Sequence, residues 1–174
     1  MSFLTPDHLV AELNLKQGSV VMDIGCGSGA YTVALARAVG NTGKVYAIDI
    51  NREILHTLAN TLEKNSILNV DTLWADIESE IPVDAYSADA VVLSNVLFQL
   101  EDIDKALNNI EKVLKPKGEM LVVEWKESSV GIGPHTSQVI SEEEIEKILL
   151  KHKIRIVRRL SAGSYHYAFT AIVD

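Results

Sequence analysis

Hydrophobic and polar positions along the chain form two kinds of segment, short apolar runs and amphipathic stretches. Short apolar runs such as "VVMDI" (20–24) are typical of buried strands, whereas segments with an apolar residue at every third or fourth position predict amphipathic helices. The predicted strands are 19–24, 44–49, 70–76, 89–96, 119–125, 154–160 and 165–173, and predicted helices begin near 5, 31, 51, 102 and 141. Strand and helix mostly alternate, although no helix is predicted between 70–76 and 89–96, and a short "SAGS" turn joins the last two strands as a hairpin. The pattern therefore predicts an α/β fold whose sheet is mostly parallel, with at least one antiparallel strand.

Local signals mark where several of these helices begin and end. Thr5 followed by Pro6 is typical of a helix start, and Ser141 with Glu144 forms a capping-box pattern. The helix that begins near Asp102 is expected to stop before Pro116, leaving Lys115 to Gly118 as a surface turn.

Composition narrows the class of protein. The chain has 174 residues, of which 47% are hydrophobic and 23% charged, so we expect one globular domain over residues 1–174. The longest apolar stretch, around 90–100, is interrupted by polar residues, and the first ten residues do not resemble a signal peptide. The single cysteine, Cys26, excludes an internal disulfide, so a cytoplasmic protein without a membrane partner is expected. A net charge of −8 disfavours nucleic acid as a partner.

Three glycines directly after the first strand indicate a ligand site. Gly25, Gly27 and Gly29 stand where backbone must turn sharply or lie against a ligand, and Asp49 ends the second strand. Glycines followed by such an acid suggest a nucleoside. The G-x-G-x-x-A form of the dinucleotide fingerprint is also satisfied, so a dehydrogenase is an alternative. Asp23, the G-x-G-x-G spacing and the lack of room for a second domain all argue against that alternative.

The motifs resemble those of class I S-adenosylmethionine-dependent methyltransferases. "DIGCGSG" resembles their glycine motif, "VYAIDI" their ribose-binding motif, "LWADIES" their adenine-binding motif, and the segment from "DAVVLSNV" to "EWKE" is similar to the ubiquinone/menaquinone-biosynthesis group. The resemblance implies a Rossmann-like, doubly wound, mostly parallel seven-stranded sheet with an antiparallel C-terminal hairpin strand. It implies S-adenosylmethionine as cofactor, bound by Asp23, Gly25, Cys26, Gly27, Gly29, Asp49, Ile50, Asp76, Ile77 and Ser94. Asp23 would meet the cofactor's ammonium and Asp76 its adenine amino group. The alternatives are a helix-dipole partner for Asp23, a cap on the following turn for Asp76 and a small buried filler for the Cys26 side chain.

The methyl acceptor is expected beyond the fourth and fifth strands. Predicted acceptor-binding residues are Asn95, Gln99, Trp125 and His135, with the loop 126–139 closing over them. His135 is the candidate general base because imidazole titrates near neutrality, although an exposed loop histidine is an equal alternative. Glu124 could be a buried structural acid, and His166 is expected on the sheet surface.

The sequence thus predicts a methyltransferase acting on a small molecule by in-line displacement, without a metal. The resemblance also leaves room for a homodimer, because the segment before the first strand is short and a second subunit could cover the site. RNA or protein methylation, and a cofactor-binding subunit without catalysis, remain alternatives.

Overall fold

Seven strands and the helices between them follow one another in the order that the pattern predicts. The computed structural model describes residues 5–126 and 133–174. The strands are β1 (Val20–Ile24), β2 (Lys44–Asp49), β3 (Val70–Trp74), β4 (Ala88–Ser94), β5 (Leu114–Trp125), β6 (Ile154–Leu160) and β7 (His166–Val173). The helices are α1 (Pro6–Val10), α2 (Ala30–Val39), α3 (Arg52–Lys64), α4 (Ile103–Val113) and α5 (Glu142–Lys151), with 3-10 turns at Leu97–Gln99 and Thr136–Gln138.

The strands form one sheet in the order β3-β2-β1-β4-β5-β7-β6. Strands β1 to β5 pair in parallel, while β7 runs antiparallel to both β5 and β6. The predicted fold class, a mostly parallel Rossmann-like sheet with an antiparallel hairpin at its C-terminal end, is confirmed. The order reverses between β1 and β4, and ligands of open α/β sheets bind outside the carboxyl ends of the strands at such a point.

Helices cover the two faces of the sheet because successive strand residues point to opposite sides. Val21 on β1 packs with residues of α1 and α2, and Ala47 on β2 packs with α3. Met22 and Ile24 instead join the larger cluster, to which α4 and α5 contribute. The apolar run of β1 is therefore buried on both sides. This arrangement leaves the strand ends as the part of the sheet where a ligand can approach.

Strand β5 begins earlier than the sequence predicts. Leu114 already pairs with Ala88, and the register then shifts before Ala90 pairs with Glu119. The expected turn is thus an irregularity inside the strand, with Lys117 at a φ of +63°. Proline is tolerated at such a bulge because the ladder is interrupted there.

The helix starts agree only partly with the predicted caps. Ser141 accepts a hydrogen bond from the Glu144 backbone N–H at 3.2 Å, which is one of the two bonds of the predicted capping box. Asn51 caps α3 in the same way, accepting from Glu53 and Ile54. Thr5 occupies the predicted N-cap position of α1, but its side chain forms no capping hydrogen bond there, and Pro6 opens the helix.

Candidate cofactor and acceptor site

The glycine loop crosses the carboxyl end of β1 in a backbone conformation that favours glycine. Gly25, Gly27 and Gly29 have φ values of +67°, +50° and +86°. The backbone N–H groups of Gly25 and Cys26 both donate to the carbonyl of Ile48, at 2.8 and 3.0 Å, which ties the loop to the end of β2. The loop is therefore held at the point where strand order reverses.

The three glycines differ in what a β-carbon would meet. At Gly25 it would lie 2.4 Å from Val96 Cγ2, and at Gly29 it would lie 2.3 Å from Leu58 Cδ1. At Gly27 the nearest heavy atom of the described residues is the Gly25 carbonyl oxygen, at 3.9 Å. Gly25 and Gly29 are thus required by packing within the protein. Only at Gly27 does the loop present bare backbone to open space, as a cradle for a ligand.

Asp49 lies directly beside this cradle. Its Oδ2 accepts a hydrogen bond from the Gly27 N–H at 3.1 Å, and its Oδ1 accepts from the Asn51 N–H at 2.9 Å. Each carboxylate oxygen keeps further acceptor capacity, so two vicinal hydroxyls of a ribose can still donate to it. Asp49, the residue predicted to bind the ribose, therefore lies next to the glycine loop.

The predicted adenine-binding motif lies at the end of β3 and just after it, next to Ile50, which follows β2. Ile50 is 63% exposed and Trp74 48% exposed, and the Trp74 indole N–H donates to the Ile50 carbonyl at 2.7 Å. Ile77 instead is 6% exposed and belongs to the core. Asp76 accepts from the Glu78 N–H at 2.9 Å and from the Ser79 hydroxyl at 3.1 Å. The structure thus shows Asp76 capping the following turn, and its contact with adenine stays a prediction.

Asp23 and Cys26 are enclosed by protein. Asp23 is 2% exposed, and its Oδ2 accepts from the Thr32 hydroxyl at 2.5 Å, at the first turn of α2. Burial raises the pKa of Asp23 to about 6, and the hydrogen bonds from Thr32 offset part of the rise. Cys26 is 7% exposed, and burial raises the pKa of its thiol, so it is a small filler with little thiolate character. Whether Asp23 also meets an ammonium group stays a prediction.

The end of β4 brings together Ser94, Asn95 and Gln99. Asn95 has a φ of +58°, and its buried Oδ1 has no hydrogen-bond partner among the described residues. Its N–H donates to Val123 at 2.8 Å, and its carbonyl accepts from Gln99 Nε2 at 2.6 Å. A strained residue with a free buried acceptor at a strand end is typical of a functional site.

Tyr31 lies near Ser94 and was missed by sequence reasoning. Burial raises the pKa of Tyr31 to about 12, and the nearby Ser94 hydroxyl offsets part of this rise. The two hydroxyls do not reach hydrogen-bond geometry, and the Tyr31 oxygen is buried without a hydrogen-bond partner in the part of the chain described. In sequence, Tyr31 was indistinguishable from a core aromatic of α2.

Glu124 is a buried acid near the end of β5. It is 2% exposed, and its Oε1 accepts from the backbone N–H groups of Val96 and Leu97, at 2.8 and 2.7 Å. Burial raises the pKa of Glu124 to about 7, and these backbone donors offset part of the rise. Its Oε2 is buried without a partner within residues 5–126 and 133–174.

Trp125 and His166 face each other across β5 and β7. Their rings lie 4.2 Å apart between centroids, and the backbone of Gly133 packs against the indole, since a β-carbon there would lie 2.8 Å from Trp125 Cε3. The Nε2 of His166 is buried and has no partner in the described part of the chain. Burial, with nearby Lys126, lowers the pKa of His166. His166 therefore lies beside Trp125, a predicted acceptor-binding residue. The alternation of residues along the hairpin strand could not show this, because it depends on the pairing of β7 with β5.

His135 caps the 3-10 turn Thr136–Gln138. The Ser137 N–H donates to its Nδ1 at 3.3 Å, the Ser137 hydroxyl lies 2.8 Å from that nitrogen, and its own N–H donates to Gln138 Oε1. The residue is exposed. A role as base stays a prediction, and residues 127–132 of the predicted acceptor loop lie outside the described residues.

The described residues contain neither a metal-binding cluster nor a membrane-spanning helix. No group of three or more histidine, cysteine or acidic side chains in 5–126 and 133–174 is arranged to hold a metal ion. Within the same ranges, no helix has the length and apolar character needed to cross a bilayer.

Comparison with known proteins identifies the family. Residues 15–160 match the family model described as a methyltransferase domain. A ubiquinone/menaquinone biosynthesis C-methyltransferase of Hydrogenovibrio crunogenus is 30% identical over 162 residues, which cover 86% of this chain and 63% of that protein. The structure of a SAM-dependent methyltransferase from Aquifex aeolicus aligns with a TM-score of 0.92 at 30% identity, over 99% of this chain and 91% of that one.

The chain belongs to the class I S-adenosylmethionine-dependent methyltransferases. It spans 44% to 63% of the length of the curated relatives it matches. The [4+2]-cyclase SpnF shares the fold at 17% identity, with a TM-score of 0.83 over 96% of this chain and 79% of that one. S-adenosylmethionine is the cofactor that the family implies, and the open space at Gly27 lies beside the Asp49 carboxylate, an acceptor that suits ribose hydroxyls.

Proposed function

We propose that this protein transfers the methyl group of S-adenosylmethionine to a small-molecule acceptor bound at the carboxyl edge of β4 and β5. The observation that carries the proposal is the continuity of that edge. The cradle at Gly27 lies beside the Asp49 carboxylate, and register places the ends of β1, β4 and β5 next to one another. Cofactor and acceptor sites would therefore adjoin, as direct transfer requires.

On the cofactor side, the chain's own residues bind and orient. Asp49 would accept the ribose hydroxyls, and the bare backbone at Gly27 would let the amino-acid portion lie close. Ile50 and Trp74 offer exposed apolar surface beside Asp49 for the adenine. Bound S-adenosylmethionine supplies a methyl group on a sulfonium, whose charge is lost as the methyl group departs, so orientation alone can carry much of the catalysis.

On the acceptor side, Asn95, Gln99 and Trp125 would form the pocket. The buried Oδ1 of Asn95, unpartnered within the described residues, would accept from a hydroxyl or amine that reaches it, and the partly exposed Trp125 side chain would offer apolar surface. His135 would serve as base only if the acceptor must lose a proton. The proposed displacement needs no metal.

The acceptor's class is supported by charge. A net charge of −8 disfavours the phosphate backbone of RNA, so a small molecule is the better candidate. The quinone precursors suggested by the relatives' name are the first acceptors to try. The single cysteine suits a reducing compartment, and we place the protein in the cytoplasm, with a homodimer as one way to complete the site.

The test is label transfer from methyl-labelled S-adenosylmethionine in a cell extract, followed by separation of small molecules from RNA and protein. We expect protein-dependent label in the small-molecule fraction, and loss of that label with Asp49→Ala. Label in RNA or protein would overturn the acceptor class. Cofactor binding by calorimetry without label in any fraction would indicate a binding subunit without catalysis.

A further inference from the structure

Glu124 is a buried acid whose Oε1 accepts hydrogen bonds from one backbone segment, the one that follows β4. Both bonds of Oε1 go to the backbone that follows β4, at Val96 and Leu97, 28 and 27 residues away in sequence. These two N–H groups open the 3-10 turn Leu97–Gln99, whose own first donors need external partners. Glu124 on β5 thus positions the backbone that follows β4.

The same backbone segment touches the glycine loop. Val96 is 7% exposed, and its Cγ2 occupies the space where a β-carbon of Gly25 would lie. Val96 therefore packs directly on the Gly25 backbone, on the side away from open solvent. A shift of Val96 would remove the support beneath the first glycine of the cofactor loop.

We propose that Glu124 is a positioning residue for cofactor binding, which acts through Val96 to hold the glycine loop in its binding conformation. It reaches the loop only through this chain of contacts: Oε1 to the Val96 N–H, then the Val96 side chain to the Gly25 backbone. The inference requires that S-adenosylmethionine binds at the glycine loop. It does not depend on the acceptor or on catalysis.

The chemistry predicts which substitutions are tolerated. Glutamine keeps an oxygen at the position of Oε1, so Glu124→Gln retains both backbone bonds. Leucine fills a similar volume without an acceptor, so Glu124→Leu leaves two buried N–H groups unpaired. Unpaired buried donors are costly, and the backbone is expected to move to find water.

Asp89, a partly exposed acid at the amino end of β4, provides a control at the end of the sheet away from the glycine loop. Its Oδ2 accepts the backbone N–H of Val20 at 2.7 Å, and its Oδ1 pairs with Lys115 at 2.6 Å. Asp89→Leu therefore also removes an acid that holds a backbone N–H between strands. It does so away from the glycine loop.

The experiment measures the affinity of S-adenosylhomocysteine, the demethylated product, by calorimetry on the full chain. We expect Glu124→Leu to weaken binding by about tenfold or more, and Glu124→Gln and Asp89→Leu to stay within about threefold. Val96→Ala alone should weaken binding by about threefold to tenfold. In the Val96→Ala background, Glu124→Leu should add less than about threefold, because both changes act on one contact chain.

Three results would each overturn the proposal. The first is unchanged affinity in folded Glu124→Leu, and the second is an equal loss of affinity in Asp89→Leu. The third is that the affinity losses of Glu124→Leu and Val96→Ala are fully additive. If Glu124→Leu does not fold, Val96→Ala still decides, since unchanged affinity in that variant removes the link to Gly25. A complete absence of S-adenosylhomocysteine binding by the wild-type protein would instead refute the cofactor assignment itself.

Discussion

Alanine at Gly27 and alanine at Gly29 should have opposite consequences for stability and for cofactor binding. Both glycines have a positive φ, so a β-carbon at either costs about 1 kcal/mol of strain. At Gly29 the new carbon would also lie 2.3 Å from Leu58 Cδ1, so the Leu58 side chain, which is 2% exposed and packed in a core cluster, would have to shift against its neighbours. Overpacking of this kind costs about 1–3 kcal/mol more.

We therefore expect Gly29→Ala to lower the free energy of unfolding by about 2–4 kcal/mol, and Gly27→Ala to lower it by about 1 kcal/mol. Affinity should show the reverse order. The β-carbon at Gly27 would project into the open space where we propose that the cofactor binds, so Gly27→Ala should weaken S-adenosylhomocysteine binding by about tenfold or more. Folded Gly29→Ala should bind almost normally.

Urea denaturation without ligand gives the stabilities, and calorimetry gives the affinities. The double variant Gly29→Ala/Leu58→Ala serves as a control, because truncating Leu58 removes the clash and should make the added cost of Gly29→Ala smaller. The reasoning would be refuted by normal ligand affinity in Gly27→Ala, or by equal destabilisation in the two single variants.

Three further predictions concern charged and titratable groups. Asp49→Ala removes the proposed ribose partner and should weaken S-adenosylhomocysteine binding in calorimetry by about tenfold to a hundredfold; unchanged affinity in a folded variant would contradict the assignment. Burial raises the pKa of Glu124 to about 7 and of Asp23 to about 6, above their unfolded values, so the stability they contribute is present below about pH 4 and is lost as pH rises. For Glu124 the loss is about 3 kcal/mol, and urea denaturation of Glu124→Gln should show a flatter decline between pH 5 and pH 8; a decline as steep as in the wild type would refute this. His135→Ala should lower methyl transfer to an identified acceptor without changing cofactor affinity, and equal turnover would leave His135 only its cap at Thr136.

The sheet could be predicted because its signals are local. Apolar runs indicated the strands, and periodicity or cap residues indicated the helices, so the predicted helices and strands are present and differ mainly at their ends. The start of β5 was placed late because Pro116 is typical of a turn. The pairing of Leu114 with Ala88 that makes it part of the strand is a contact between distant segments.

The glycine motif predicted where the loop lies but not the role of each glycine. Its position after β1 correctly located the loop at the sheet's switch point. The reason for each glycine could not be read from the motif, since it depends on Leu58 and Val96, which lie on other elements. Gly27 faces open space, whereas Gly25 and Gly29 make room for side chains of the protein itself, although the three glycines look equivalent in the sequence.

Acids inside apolar strands carry structural information that the sequence analysis used only in part. Asp23 interrupts "VVMDI" and Glu124 interrupts "MLVVEW", and both are 2% exposed. A buried acid needs donors, and here the donors belong to the segment that begins after a strand: Thr32 in α2 for Asp23, and the turn after β4 for Glu124. Both acids therefore act where chain leaves the sheet at its ligand-binding edge. In this chain the two buried acids thus mark which connections are held in place, and burial makes their contribution to stability sensitive to pH.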